Sequence, residues 1–382
     1  MSNQTKKILV MSIGTDLGGI EKSMINFLQF LSSESAFQID LYLWRKPGKL
    51  YNHIPSSINI LDDDVSPVGI RDCKNISDLL LYFKFRFLDL FSLGTKALKK
   101  INCDYDIAIA YCQVGHTPYY VIDKISARKK YFFYHHGSYG ANRLRHFIDS
   151  TYYSAFDAII TMSNANAEMI KKVFPKCQNK TRTCSPFINE KSIIEKSRDN
   201  ASPKEYSDGI PILVTVARLS IEKGIMEALQ SAKILKDKGI KFKWLFVGSG
   251  ADRLSFDNYI EENDLSDVCI LVGGKENPYA FMSIATIYVQ PSNVESFCIT
   301  IREAAILNKP IVASDIPAVC EASYEIANIR LSANDPERMA NTIEQILSDS
   351  KGLALGTYNT SLKSAINEKS IKFFRNLFAL SN

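Results

Sequence analysis

PSNVESFCITIREAAILNKPIVASD, residues 291–315, is the stretch on which the reading of the chain turns. It opens at the end of an apolar run, IYVQ, of strand type and closes on a second such run, PIVAS. Between them a helical pattern starts near Ser296 and reaches Leu307, where Asn308, Lys309 and Pro310 stop it. Strand, turn, helix and strand make the repeating unit of a parallel sheet covered on both faces. The first-turn amides, around Phe297, Cys298 and Ile299, are donors without helical partners at a positive dipole end, which suits a phosphate. Glu295 stands just before them and Glu303 about two turns into the helix. Carboxylates accept hydrogen bonds from hydroxyls, so the pattern fits a phosphate held between two polyols, a sugar and a ribose. As structure alone, Glu295 complements the dipole and Glu303 is a solvent-facing helix residue. Both pairs of readings stand at this point.

The alternation continues outward in both directions. In the first half the strand-like runs are KKILVMSI, FQIDLYLW, YDIAIAYC, KKYFFYHH and DAIITMS. In the second half they are PILVTVAR, KWLFVGSG, VCILVGG, IYVQPS, PIVASD and NIRLS, with helices over 222–238, 251–263, 276–285, 296–308 and 317–325. Residues 189–209, NEKSIIEKSRDNASPKEYSDG, are polar and broken by Pro and Gly, which predicts a linker. The expectation is α/β: a Rossmann-like domain over 1–190, a second over 205–365, and a last helix over 366–382 that crosses back to the first. Two doubly wound domains facing each other across a cleft would hold ligands outside the carboxyl ends of their strands.

A chain of 382 residues exceeds one ordinary core, and 46% hydrophobic with 23% charged residues is a globular composition. A net charge of +5 favours phosphate-bearing ligands or an anionic membrane surface, and is too weak for a nucleic-acid stripe. The eight cysteines form no C-x-x-C pair, and no His/Cys spacing suggests zinc, so they read as free thiols in a reducing compartment. The start, MSNQTKKILVMSIG, is too short an apolar run for a signal peptide or a spanning helix, and the expectation is a cytoplasmic protein. Asp62–Asp64 contain an Asp-x-Asp pattern, read as a solvated turn and not a metal site.

Two further groups carry chemistry. In RLSIEKG, residues 218–224, Arg218 and Lys223 follow a strand at its carboxyl end, where a fork and a point charge neutralise a diphosphate. In the first half, GTDLGGIEKS (14–23) follows the first strand and opens a helix, with Gly18 and Gly19 permitting close approach. It lacks the G-x-G-x-x-G fingerprint, which disfavours a nicotinamide dehydrogenase. His135 and His136 end the strand-like run YFFYHH.

The order RLSIEKG, VGSG, VGG and then residues 291–315 resembles the retaining family 4 glycosyltransferases of the GT-B fold. That family carries a Glu-x7-Glu motif in a pattern close to P-S-x-x-E-G-F-G-x-x-x-x-E-A-x-A-x-x-x-P-V-V-A-S-D, and Glu295 and Glu303 match its glutamates. Ser296 and Cys298 stand where the family usually has Gly. The resemblance implies a nucleotide-sugar donor, retention of anomeric configuration, and neither metal nor other cofactor. It makes Arg218 and Lys223 the phosphate-binding cations, Glu295 the glutamate near the donor sugar and Glu303 the one that holds the ribose. Ser296, Phe297, Cys298 and Ile299 would line the diphosphate and sugar, and Gly18 and Gly19 would face the phosphates. His136 matches the residue beside the anomeric carbon, with His135 second.

Residues 76–101, ISDLLLYFKFRFLDLFSLGTKALKKI, are apolar, aromatic and studded with Lys84, Arg86, Lys96, Lys99 and Lys100. They read as an interfacial helix on the inner face of a membrane or, equally, as a core helix. The acceptor expected from the family's habits is a glycan or a lipid-linked oligosaccharide in surface polysaccharide biosynthesis. The loop GGKENP leans the donor towards UDP over GDP. The alternatives are a GT-B epimerase or phosphorylase, or a nucleotide-sugar-binding protein without catalysis.

Overall fold

The computed structural model describes residues 5–44, 48–61, 76–90, 100–113, 116–199, 209–348 and 360–378. The Asp62–Asp64 run, Lys96, Lys99 and residues 200–208 of the expected linker lie outside the described residues. The chain divides into two compact units, Met1–Ile188 with Ile366–Asn382, and Asn189–Ala365.

The first unit is built on strands β1 (Lys6–Ser12), β2 (Phe37–Leu43), β3 (Asn59–Leu61), β4 (Asp104–Ala110), β5 (Ser126–Tyr134), β6 (Ala158–Thr161) and β7 (Thr181–Thr183). They pair in the order β3-β2-β1-β4-β5-β6-β7, and every pairing is parallel. Helices α1 (Gly19–Ser33), α2 (Ile76–Leu90), α3 (Thr117–Lys124), α4 (Arg143–Ser154) and α5 (Asn164–Val173) make the crossovers. Ile8, Leu9, Val10 and Met11 are all fully buried, which is why β1 reads as an unbroken apolar run. In α1, Met24, Phe27, Leu28 and Leu31 recur at helical spacing and are buried on the sheet. Each such side chain contributes roughly 1.5–3 kcal/mol through burial. The strand β7 was not expected: three residues, TRT, are too few and too polar to form an apolar run.

The second unit begins with α6 (Glu190–Ser197), inside the stretch read as linker. Asn189 caps this helix by accepting from the Ser192 amide at 3.1 Å, and Ile193 is buried. One apolar anchor and a cap therefore fix a segment whose composition is that of a loop. Six strands follow: β8 (Ile212–Val216), β9 (Lys243–Val247), β10 (Cys269–Gly273), β11 (Ile287–Gln290), β12 (Ile311–Ser314) and β13 (Ile329–Ser332). They pair in parallel in the order β10-β9-β8-β11-β12-β13. The helices after each strand are α7 (Ile225–Asp237), α8 (Arg253–Glu262), α9 (Tyr279–Ile284), α10 (Ile299–Ile306), α11 (Pro317–Ser323) and α12 (Pro336–Ser348). Trp244 is fully buried in this core, its indole N–H donates to Thr215 Oγ1 at 3.0 Å, and that hydroxyl donates to the Val289 carbonyl at 2.8 Å. The buried polar atoms are thus paired, as a dry core requires.

The last helix, α13 (Thr360–Phe378), ends in the first unit. Phe374 and Phe378 are buried there, with ring centroids 5.1 and 6.5 Å from Phe27. Lys6 Nζ and the Tyr131 hydroxyl donate to the carbonyls of Phe378 and Leu377 at 2.9 and 3.1 Å, which ties off the end of the helix. Each sheet reverses its winding between the first strand and the fourth, at β1/β4 and at β8/β11. Such switch points leave a crevice at the carboxyl ends of the strands.

Candidate active site

In the second unit the crevice is bounded by the loop after β8, residues 217–224, and the loop after β11, residues 291–298. Backbone meets backbone there. A Cβ at Gly224 would collide with the Pro291 carbonyl, one at Gly248 with the Ala217 carbonyl, and one at Gly250 with the Leu219 carbonyl. The Asn293 and Val294 amides donate to the Glu222 carbonyl at 2.9 and 3.3 Å and lock the two loops together.

Lys223 and Glu295 pair across this junction, Nζ to Oε1, at 2.9 Å, with side chains 18% and 12% exposed. That exposure separates them from a surface ion pair, since water screens them on one side only. Glu295 Oε1 also accepts from the Ser292 hydroxyl at 2.7 Å and from Gln290 Nε2 at 3.4 Å. Gln290 and Ser292 are buried, and Gln290 accepts in turn from Tyr288 at 2.6 Å and from Thr300 at 2.9 Å. Arg218 is 64% exposed and pairs with Glu222, so it is a cation at the mouth of the crevice.

The helix α10 starts at Ile299, three residues later than its sequence pattern predicts. The cause is Cys298, whose φ of 55° and ψ of 64° put it in the left-handed region. Phe297 and Cys298 therefore precede the helix, and the unpaired first-turn amides are those of Ile299 and the residues after it. Gly adopts this conformation without cost, which gives a physical reason for a Gly preference at position 298. Burial, then Glu295, pushes the Cys298 thiol up, so it stays protonated and is no nucleophile. Arg302, which the sequence did not single out, is buried with its guanidinium 3.7 Å from the Phe297 ring centroid. It donates to the Phe297 carbonyl at 2.7 Å and pairs with Glu325 at 2.9 Å, bracing the loop from behind.

Glu303 is buried at 2% exposure, which excludes the reading of it as a solvent-facing helix residue. Its Oε1 accepts from the Tyr279 hydroxyl at 2.7 Å, and its Oε2 has no hydrogen-bond partner among the described residues. The second unit thus pairs Lys223 with Glu295, with Ser296, Phe297 and Cys298 following on the same loop, Ile299 and Glu303 on α10, and Arg218 on the loop after β8. Sequence reasoning missed Gln290, Ser292 and Tyr279 as well as Arg302. The signal available was a glutamine closing the apolar strand IYVQ, where a polar side chain must find partners.

The remaining candidates lie in the first unit, at the carboxyl ends of β1 and β5. Gly18 is extended at φ −160°, and a Cβ at Gly19 would meet nothing within 4 Å. Nothing inside this unit therefore requires Gly19. His135 packs 4.9 Å from the Tyr111 ring, and burial lowers its pKa to about 3, so its imidazole is neutral. Its Nε2 is buried with no partner among the described residues. His136 is half-buried, and its Nδ1 lies 3.1 Å from the Ser138 carbonyl.

On α2, Ile76, Leu80, Phe83 and Phe87 are 54–77% exposed and recur at 4, 3 and 4 residues, which is one stripe of the helix. Lys84 is exposed on the same helix. No helix among the described residues is long and apolar enough to cross a membrane, and no metal-binding cluster of His, Cys, Asp and Glu occurs among them.

A switch-point crevice holding a shielded Lys–Glu pair, an open helix start and a buried carboxylate is chemistry for a charged, hydroxylated ligand. Comparison with known proteins points the same way. Residues 197–361 match the family of glycosyl transferases group 1. An uncharacterized glycosyltransferase of Methanocaldococcus jannaschii is 25% identical over 167 residues, 43% of this chain and 41% of that one. The N,N'-diacetylbacillosaminyl-diphospho-undecaprenol alpha-1,3-N-acetylgalactosaminyltransferase of Campylobacter jejuni is 26% identical over 228 residues, 57% of this chain and 59% of that one. The chain therefore spans about half the length of these relatives. Anabaena HepE, crystallised in complex with UDP, matches with a TM-score of 0.70 at 15% identity, over 98% of this chain and 100% of that one. At such identity the likeness concerns the fold, and the fold is GT-B. The group 1 match covers the whole crevice of the second unit, from the β8 loop to α10.

Proposed function

We propose that this protein is a retaining glycosyltransferase that moves a sugar from a UDP-sugar to a hydroxyl of a glycan or lipid-linked oligosaccharide. The observation that carries the reading is the group 1 match over a crevice in which Lys223 and Glu295 pair at 2.9 Å. Arg218, Lys223 and the α10 amides neutralise charge that develops on the departing diphosphate. Glu295, held by Lys223 and Ser292, accepts from sugar hydroxyls, and Glu303 accepts from the ribose. The anomeric carbon–oxygen bond breaks towards the diphosphate. The acceptor oxygen bonds to the same face, and its proton passes to the departing phosphate oxygen. No step needs a metal. On this reading Gly19 leaves room for a phosphate while the Glu21 carboxylate lies against Gly18, and His136 contacts the sugar near its anomeric carbon. The UDP reading is supported by the UDP complex of HepE, and the lipid-linked acceptor by the undecaprenol-linked substrate in the name of the Campylobacter relative. The α2 stripe beside Lys84 supports peripheral contact with an anionic membrane face in surface polysaccharide biosynthesis.

The test is transfer from a panel of α-linked nucleotide sugars to short lipid-linked acceptors in excess EDTA, with the product's anomeric signal read by proton NMR. An α-configured product formed in EDTA supports the reading. An inverted product, strict metal dependence, or donor turnover into epimer or sugar phosphate without transfer would overturn it.

A further inference from the structure

Tyr279 is the first residue of α9 and follows the loop that leaves the carboxyl end of β10. Its place is fixed from both sides. Asn277 Oδ1 accepts from the Tyr279 amide at 3.2 Å, while Asn277 Nδ2 donates to the Lys196 carbonyl on α6 at 2.8 Å. The ring is 8% exposed and the hydroxyl donates to Glu303 Oε1 at 2.7 Å. Burial, and then the neighbouring carboxylate, hold the phenol well above its ordinary pKa, so it stays a donor.

A carboxylate at 2% exposure needs partners for two oxygens, and a buried one without them is costly. The adjacent Arg302 does not supply them: its Nη1 and Nη2 go to the Phe297 carbonyl and Glu325, and its Nε makes no hydrogen bond among the described residues. Glu303 is left with one oxygen engaged by Tyr279 and the other buried and unpartnered among the described residues. A vicinal diol offers the hydroxyl donors that this arrangement lacks. We infer that Tyr279 is a positioning residue that sets the Glu303 carboxylate for the ribose diol of the donor and so gives the site its preference for ribonucleotides. The inference rests on the donor-site reading above. It also ties the loop after β10 to α10 through one hydrogen bond, so the nucleoside end of the site is held as a unit.

The test is calorimetric titration of wild type, Tyr279→Phe and Glu303→Gln with UDP, GDP and ADP and their 2′-deoxy counterparts, beside thermal melts. Wild type is expected to bind one ribonucleotide about tenfold more tightly than its deoxy form, the size of one charge-assisted hydrogen bond. Tyr279→Phe is expected to lose about tenfold on the ribonucleotide and to change by less than about twofold on the deoxy form, so the preference collapses. Glu303→Gln should lose the preference as well. A purely structural tyrosine would weaken both nucleotides equally, and that result overturns the role of Tyr279. So does a Tyr279→Phe variant that keeps the wild-type preference. If wild type binds ribo and deoxy forms equally, the inference fails while the donor-site reading stands; if it binds no nucleotide, the donor-site reading fails and takes the inference with it.

Discussion

At Gly224 the backbone runs left-handed, with φ at 65°, and touches the Pro291 carbonyl. Gly224→Ala meets both obstacles, a left-handed cost of roughly 1–2 kcal/mol and a backbone collision on top of it. Urea unfolding should show a loss of more than about 1 kcal/mol, and a loss smaller than that would mean the two loops are not locked as described. Gly19 is the contrast, because a Cβ there meets open space. Gly19→Ala should leave the melting temperature unchanged or raised while lowering turnover, and unchanged turnover would remove Gly19 from the donor site. At His135 the folded pKa, about 3, lies below the ordinary value of about 6.5 for the unfolded chain. The unfolded state then binds the extra proton, so stability is full above pH 6.5 and falls as the pH drops towards 3, by up to about 1.4 kcal/mol per unit. His135→Phe should flatten that part of the pH–stability curve, and an unchanged slope would mean the imidazole titrates normally.

Among the elements, α2 presents its apolar stripe outward and α13 buries its aromatic one. Phe374 packs between Phe27, Phe133 and Phe187, at centroid distances of 5.1, 5.8 and 5.7 Å. Phe374→Ala should cost about 3–5 kcal/mol in chemical denaturation. A glutamate pair on α2, Leu80→Glu with Phe83→Glu, should leave stability within about 0.5 kcal/mol and abolish flotation with anionic vesicles. Flotation that persists would assign membrane contact elsewhere. Elements also mark where the sequence was legible. Apart from β7, the strands of both sheets were, because burial on two faces leaves uninterrupted apolar runs such as ILVM in β1 and LFV in β9. The start of α10 was not, because a left-handed Cys298 carries no signal in residue type. Nor was α6, where Ile193 is the one side chain of the helix that is buried.

For the whole molecule, two units repeat one winding order, and the group 1 match falls on the second, over residues 197–361. The candidate site follows the same division. Its polar residues in the second unit were legible because a long ordered pattern, from Arg218 to Asp315, runs through consecutive strand ends. The residues that hold them were not: Tyr279 reaches Glu303 from another segment, and Gln290 and Arg302 bond Glu295 and Phe297 through a turn whose shape residue type does not give. The proposed acceptor end has no comparable pattern, since hydroxyl selection depends on the shape of a surface and not on spacing. The central claim is that the second unit's crevice holds a nucleoside diphosphate. The most direct measurement is calorimetric titration of the folded full chain with UDP in EDTA, beside Lys223→Ala. Binding that persists in EDTA and weakens by about 1.5–3 kcal/mol in the variant, the size of a hydrogen bond to a charged group, is the predicted result. A folded wild type that binds neither UDP nor any other nucleoside diphosphate, or a Lys223→Ala variant that binds as tightly as wild type, would contradict it.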